Sequence, residues 1–398
     1  MVCTYPMFYL SLVIFTIHLI AYDKFDQKVK SESQGVLAKS INYLNSIPYR
    51  INKEVLEFLL SEWYNEDSLL FNGLNKLKEV SSKPLSGQDN RDILSHNSQY
   101  WQIYNYNTLA IARLYQNTVF YLPTFADFRG RLYTLTQYLS YQGGDLARSL
   151  FARTNDVPEK DQFIKSEGIQ YLKQYFANVA GQDKKSLSDR YEWVNRELPA
   201  ALEGLAQDRN KFIKSYLLNL KEPLQFLSCM FAFKNIIINA EKGIETYVGN
   251  PILLDATCNG IQHLSALTRE LGLAKNVNVG PAWLCPSNEE GIPGDIYSEA
   301  AKLVKIELDK SDDTDLLNLK INRSLLKKSV MTVPYNITLE GIKGQLIEYF
   351  PVYWENNKLF YRVTSEFTKN NQTMFLRPSQ ISKYYSLSDY KSKNTIFK

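Results

Sequence analysis

Apolar positions recur along much of the chain at the three- and four-residue spacing of a helix. In residues 52–63, Val55, Leu56, Leu59, Leu60 and Trp63 fall on one side, and Asn52 stands where its side chain can cap the first turn. The same spacing predicts helices over 109–115, 168–177, 189–197 and 210–218, and a buried apolar helix over 223–234. Between Phe125 and Tyr141 the period changes: aromatic and β-branched residues alternate with Arg and Thr, which predicts strand, turn and strand. Leu253 and Leu254 read as the end of a buried strand, with Asp255 at its tip. A tight polar turn follows, then a helix carrying Gln262 and His263. The charged stretch 23–33 reads as a linker, the polar stretch 81–97 as a loop, and the acidic 309–315 as a surface connector.

A chain of 398 residues can bury a large core divided among two or three subdomains. Its 46 basic and 42 acidic residues leave a net charge of only +4, so global charge says little about partners. The local distribution says more. Residues 127–153 hold Arg129, Arg131, Arg148 and Arg153 against Asp127 and Asp145, which suits a phosphate-binding surface or, equally, a solvated face. The four cysteines are too far apart in sequence for a zinc or disulfide framework, which favours a reducing compartment. Three histidines leave little room for a hydrolytic triad or a histidine-ligated metal. The apolar run 7–22 lacks the charged leader of a secretory signal and the Arg-rich character of a transit peptide. A core helix, an upstream extension and a membrane anchor stay open for it. Abundant Tyr (27 residues), Asn, Lys and Ile fits AT-rich coding DNA.

Three clusters carry chemistry. Asp255 offers a hard carboxylate of the kind magnesium prefers, although a lone Asp before a turn also serves as a helix cap. Arg323 and Lys327, four apart, project from one side of a helix as two cations suited to a triphosphate, with Tyr335 further along the same stripe. In Asp127-Phe128-Arg129-Gly130-Arg131-Leu132-Tyr133 two arginines flank a Gly that lets the backbone approach a phosphate; a structural Arg–Asp pair in a hairpin is the alternative.

Taken together these segments resemble the single-subunit, bacteriophage-type DNA-directed RNA polymerases, a family that includes the mitochondrial enzymes. The DxRGRxY segment stands as Asp127, Arg129, Gly130, Arg131 and Tyr133. The metal-binding Asp and the CxGxQHxSA signature stand as Asp255, Cys258, Gly260, Gln262, His263, Ser265 and Ala266. The fingers motif stands as Arg323, Lys327, Val330, Met331, Thr332 and Tyr335. Weaker matches are Gly181-Gln182-Asp183-Lys184, where the Lys approaches the incoming nucleotide, and Asp295-Ile296-Tyr297, a fingers turn. The resemblance runs from about residue 40 to about residue 350 in consistent order. It implies an α+β, mostly helical, right-hand polymerase fragment. In that reading 1–22 is an apolar leader, 23–115 a helical, thumb-like region, 116–270 a partial palm and 271–398 partial fingers.

The implied activity is template-directed RNA synthesis from ribonucleoside triphosphates by a two-metal mechanism with Mg2+. Asp255 would be the catalytic metal ligand and Lys327 the catalytic lysine. Arg323, Tyr335 and Lys184 would bind the nucleotide, with Tyr335 discriminating ribose from deoxyribose. Asp127, Arg129, Arg131 and Tyr297 would contact nucleic acid. Implied partners are a DNA template, the RNA product and accessory transcription factors, in a mitochondrion without an import signal.

Two departures from the family pattern stand out. Ala256 replaces the Gly after the metal-binding Asp, which requires ordinary dihedrals there. Val333-Pro334-Tyr335-Asn336 replaces the family's small-residue-Tyr-Gly pattern, so Pro334 should end or kink the helix; this variant is similar to polymerases of linear mitochondrial plasmids. The family's second catalytic Asp follows a His, and no His-Asp pair occurs in this chain. The expectation is therefore of an incomplete, C-terminally truncated copy, with a non-catalytic remnant or derived nucleic-acid-binding module as the alternative.

Overall fold

The computed structural model describes residues 27–65, 67–71, 88–128, 130–153, 166–243, 248–279, 292–350, 352–356 and 358–380. The apolar run 7–22, Arg129, Cys3 and Cys285 lie outside the described residues. The described residues pack as two compact units. One is drawn from Met1–Asp183 and Ser188–Leu253, the other from Lys184–Leu187 and Leu254–Lys398.

The first unit is helical, with short antiparallel ribbons. Helix α1 (Gln27–Asn45) leads to β1 (Tyr49–Ile51), α2 (Lys53–Trp63) and the long α3 (Gln88–Tyr115). Asn52 caps α2 as its position suggests, accepting the Val55 N–H at 3.3 Å, and Val55, Leu56 and Leu59 are buried. A hairpin of β2 (Thr124–Ala126) and β3 (Leu132–Thr134) sets Phe125 opposite Tyr133, within the predicted strand-turn-strand. Helix α4 (Asp145–Ser149) precedes β4 (Phe151–Arg153), which pairs with β1 in the register Ile51↔Phe151. Helices α5 (Ser166–Val179), α6 (Leu187–Gln207), α7 (Arg209–Ser215) and α8 (Pro223–Glu241) complete the unit.

Its core centres on α8, buried on all sides over its first eleven residues. Phe226 stacks on Phe176 with ring centroids 4.2 Å apart, and Phe233 meets the same ring edge-on at 5.7 Å. Burying each of these rings contributes about 2 kcal/mol. Proline at the start of α8 suits a position whose N–H has no helical acceptor. The next two N–H groups, of Leu224 and Gln225, are taken by the Asp145 carboxylate at 2.7 and 3.0 Å.

The second unit holds α9 (Asn259–Thr268), α10 (Leu271–Asn276), α11 (Ile296–Leu308), α12 (Thr314–Leu317), α13 (Arg323–Thr332) and α14 (Leu339–Ile347). A three-stranded antiparallel sheet follows, in the order β5 (Val352–Glu355), β6 (Lys358–Val363), β7 (Met374–Leu376). One core joins Cys258 and Ile261 to Tyr297, Leu325, Leu326, Val330 and Phe350. Small antiparallel sheets among helices make the chain α+β.

Five expectations need correction. Residues 251–256 form no strand, and Leu254 is 91% exposed. A strand needs a neighbour for its N–H and C=O groups, and no described strand pairs with this segment. Residues 27–33 belong to α1 rather than to a linker, and 88–97 to α3 rather than to a loop. The Arg323–Tyr335 stripe is not one helix, because α13 ends at Thr332 and a 3-10 turn, Val333–Tyr335, follows with Pro334 in it. Arg148 is not part of an open basic surface: it is half-buried and pairs with Glu222 at 3.1 Å. Among the described residues no helix is long and apolar enough to cross a membrane.

Candidate functional site

Asp255 ends the extended segment 251–256 with an exposed carboxylate whose Oδ1 accepts the Ala256 N–H at 2.9 Å. Ala256 has ordinary dihedrals; the left-handed residue of this turn is Cys258, at φ 52°. That conformation costs an L-residue about 1 kcal/mol. Burial of the Cys258 side chain in the core offsets it, and the Cys258 carbonyl accepts the Ile261 and Gln262 N–H groups that start α9, both at 3.0 Å.

Gly260, in the first turn of α9, lies against the Val333–Tyr335 turn. A Cβ there would stand 3.0 Å from Pro334 Cβ and 3.5 Å from the Tyr335 ring. Glycine is thus what lets the segment after Asp255 seat directly beneath Tyr335. The Tyr335 side chain is 65% exposed, and Asn336, left-handed at φ 59°, turns the chain into α14.

Asn322 caps α13, accepting the Leu325 N–H at 3.0 Å. Leu325, Leu326, Ser329 and Val330 are buried, which leaves Lys327 exposed; it forms no hydrogen bond or ion pair with another described residue. Arg323 is held more firmly. Its Nε donates to Asp295 Oδ2 at 2.7 Å and its guanidinium lies 5.0 Å from the Tyr297 ring centroid. The Arg323 Nη groups have no partner among the described residues. Burial, with the Cys258 thiol beside it, pushes the Tyr297 hydroxyl well above the usual phenol range. Tyr297, expected to contact nucleic acid, is therefore a buried shelf beneath Arg323.

Two residues that sequence reasoning missed hold this arrangement. Asn278, left-handed at φ 58°, donates to the Gly294 carbonyl at 2.9 Å and accepts the Gly294 N–H at 2.7 Å. It also donates to the Thr257 hydroxyl at 3.2 Å. Gly294 packs so tightly that a Cβ would sit 2.3 Å from the Lys275 carbonyl oxygen. A hydrogen-bonded and covalent path therefore runs from the Asp255 turn through Thr257, Asn278, Gly294 and Asp295 to Arg323. The sequence signal for Asn278 was only that Asn tolerates the left-handed region.

Asp255, Arg323, Lys327, Tyr335 and Tyr297 thus belong to one unit, and Lys184, exposed, falls with it. Asp127 and Arg131 belong to the first unit, at the turn of the β2–β3 hairpin. There the Asp127 carboxylate accepts the Arg131 N–H at 2.8 Å and Gly130 adopts φ 77°. Asp127 and its turn are held by backbone bonds, and the exposed Arg131 side chain points to no described acceptor. Among the described residues no three or more His, Cys, Asp or Glu side chains group as a metal site. Asp255 and the Ala256 carbonyl are hard oxygen donors, which suits them to a magnesium ion that keeps water ligands.

The chain belongs to the DNA-dependent RNA polymerase family, whose signature matches residues 162–394. It is similar to a probable DNA-directed RNA polymerase of Agaricus bitorquis, 43% identical over 336 residues, covering 83% of this chain and 29% of that protein. A probable DNA-directed RNA polymerase of Neurospora crassa is 32% identical, covering 79% of this chain and 34% of that protein. The mitochondrial DNA-directed RNA polymerase of Schizosaccharomyces pombe is 27% identical over 82% of this chain and 29% of its own length. The chain spans between 29% and 34% of the length of these relatives.

Proposed function

We propose that this chain carries part of the nucleotide-transfer site of a DNA-directed RNA polymerase, in a right-hand architecture to which it contributes partial palm and fingers. The observation that supports this reading is the seating of the Asp255 segment, Arg323, Lys327 and Tyr335 on one core, with Gly260 packed against Pro334 and Tyr335. Asp255 and the Ala256 carbonyl would hold magnesium, which when bound supplies charge neutralisation for phosphoryl transfer. Lys327 binds the triphosphate and donates a proton to the departing pyrophosphate. Arg323, oriented by Asp295, offers its Nη groups to phosphate oxygens. Tyr335, exposed over Gly260, stands against the sugar and separates ribose from deoxyribose by the 2′-hydroxyl. Lys184 meets the incoming nucleotide, while Asp127, Arg129 and Arg131 contact nucleic acid, the arginines at its phosphates. Template DNA, RNA product and ribonucleoside triphosphates are then its partners. A mitochondrial setting, with descent from a linear plasmid polymerase, follows the Val333-Pro334-Tyr335-Asn336 variant and the mitochondrial names of relatives.

The test is magnesium-dependent extension of an RNA primer on a DNA template. Extension should require Asp255 and Lys327, and wild-type-like extension by Asp255→Ala would refute the assignment. A second reading is a nucleic-acid-binding module without catalysis, supported by the exposed Arg131 side chain at the turn of the β2–β3 hairpin. Tight hybrid binding with no extension would support that one instead.

A further inference from the structure

The β5–β6–β7 sheet has two unlike faces. Residues opposite one another in an antiparallel ladder share a face, and alternate residues along a strand return to it. By the register Val352↔Tyr361↔Leu376 and Val363↔Met374, one face carries Tyr361, Val363 and Leu376, all buried in the core of the unit. The other face follows Tyr353↔Phe360 and Arg362↔Phe375, with Glu355↔Lys358 at its end. Tyr353 and Phe375, on the two outer strands, are 41% and 44% exposed, and their rings lean together across the middle strand with centroids 4.9 Å apart. Beneath and beside them lie Phe360 and Arg362, both half-buried. Neither Arg362 nor Lys358 forms a hydrogen bond or ion pair with another described residue, although Glu355 stands directly across from Lys358.

Three aromatic rings on a solvent-facing sheet, interleaved with two uncommitted cations, match a polyanion whose units have flat faces. Stacking on such rings tolerates any base, while Arg and Lys meet the backbone phosphates. A purely apolar protein partner would leave Arg362 and Lys358 desolvated without a counter-charge. We propose that this sheet face binds single-stranded RNA. The choice of RNA over DNA rests on the proposed transcriptional role, in which the released product is the strand that is single-stranded without being held open; the stacking chemistry does not depend on it.

The test uses the full chain and a fluorescently labelled uridine homopolymer, read by anisotropy at several salt concentrations. Tyr353→Ala combined with Phe375→Ala should weaken binding about tenfold or more, and Tyr353→Phe should retain it. Arg362→Gln should flatten the salt dependence. A 4-thiouridine polymer should cross-link to peptides containing Tyr353 or Phe375, and urea unfolding midpoints should match wild type. The proposal is overturned if the double variant binds RNA as wild type does, or if cross-links map only elsewhere. It is also overturned if a thymidine DNA homopolymer binds about tenfold more tightly, or if the double variant loses self-association instead of RNA. Extension measured in parallel reports separately on the proposed polymerase site.

Discussion

Asp295 Oδ2 accepts two donors, the Arg323 Nε–H and the Ser298 hydroxyl, each at 2.7 Å, while Oδ1 accepts the Tyr297 N–H at 3.3 Å, so one carboxylate both caps helix α11 and aims the first residue of α13. Asp295→Asn preserves the capping geometry and removes the charge. It should cost about 1 kcal/mol of stability while weakening triphosphate binding severalfold. Asp295→Ala should cost about 1 kcal/mol more by also removing the cap. In a double-mutant cycle with Arg323→Ala, measured by urea unfolding and nucleotide titration, the two losses should be markedly non-additive. Simple additivity would mean the pair is incidental.

Two glycines give a matched comparison. Gly260→Ala places a methyl against Pro334 and should cost about 1–3 kcal/mol of stability while displacing Tyr335. The accompanying readout is the ratio of ribonucleotide to deoxyribonucleotide use, which should fall. Gly344→Ala, in α14 with open space around the new methyl, should instead stabilise by about 0.5–1 kcal/mol. Thermal unfolding of both variants checks the pair.

Burial pushes the Asp145 carboxyl up to about 6, although the Leu224 N–H and the Gln225 backbone and side-chain N–H groups pull it down. A carboxyl raised on folding binds its proton more tightly in the native state. Its contribution to stability is therefore complete below about pH 4 and is lost as pH rises through about 6. Relative to Asp145→Asn, wild-type stability should fall by roughly 3 kcal/mol across that interval. Parallel slopes for the two proteins between pH 4 and 6 would exclude the effect.

Asn278 clamps Gly294 through both of its backbone groups, and its left-handed backbone makes Gly the cleanest replacement. Asn278→Gly keeps that conformation and removes the amide, costing about 1–3 kcal/mol. Hydrogen exchange at the Gly294 N–H should accelerate, and nucleotide affinity should drop with it through the looser Asp295. Unchanged exchange at Gly294 would show that the clamp is dispensable.

Local pattern made much of this architecture legible. Asn52 and its apolar stripe, the apolar run 223–234 and the alternation over 125–141 each report a property of one short segment; a capped helix, α8 and a hairpin stand there, with α8 running on to Glu241 and the hairpin ending at Thr134. Pro334 likewise ended α13 because a missing N–H acts locally. What sequence could not supply was pairing between distant segments. The apolar Leu253-Leu254 suggested a strand, but a strand exists only with a neighbour, and Leu254 lies in solvent instead. The candidate site was read as motif residues without their supports. Nothing in the identities of Asn278 and Gly294 announces that they meet, and Asp295 reads as a helix cap before it reads as the partner of Arg323. Tyr297 shows the reverse error: an aromatic expected at nucleic acid is enclosed under a guanidinium.

The central claim is that Asp255, Arg323 and Lys327 serve one triphosphate. Equilibrium binding of a fluorescent ribonucleoside triphosphate to the full chain, with and without Mg2+, tests it without requiring turnover. The account predicts that Lys327→Ala weakens binding about tenfold, and that Asp255→Ala abolishes the Mg2+-dependent part while leaving the rest. Wild-type affinity in Lys327→Ala, or an unchanged Mg2+ dependence in Asp255→Ala, would contradict it.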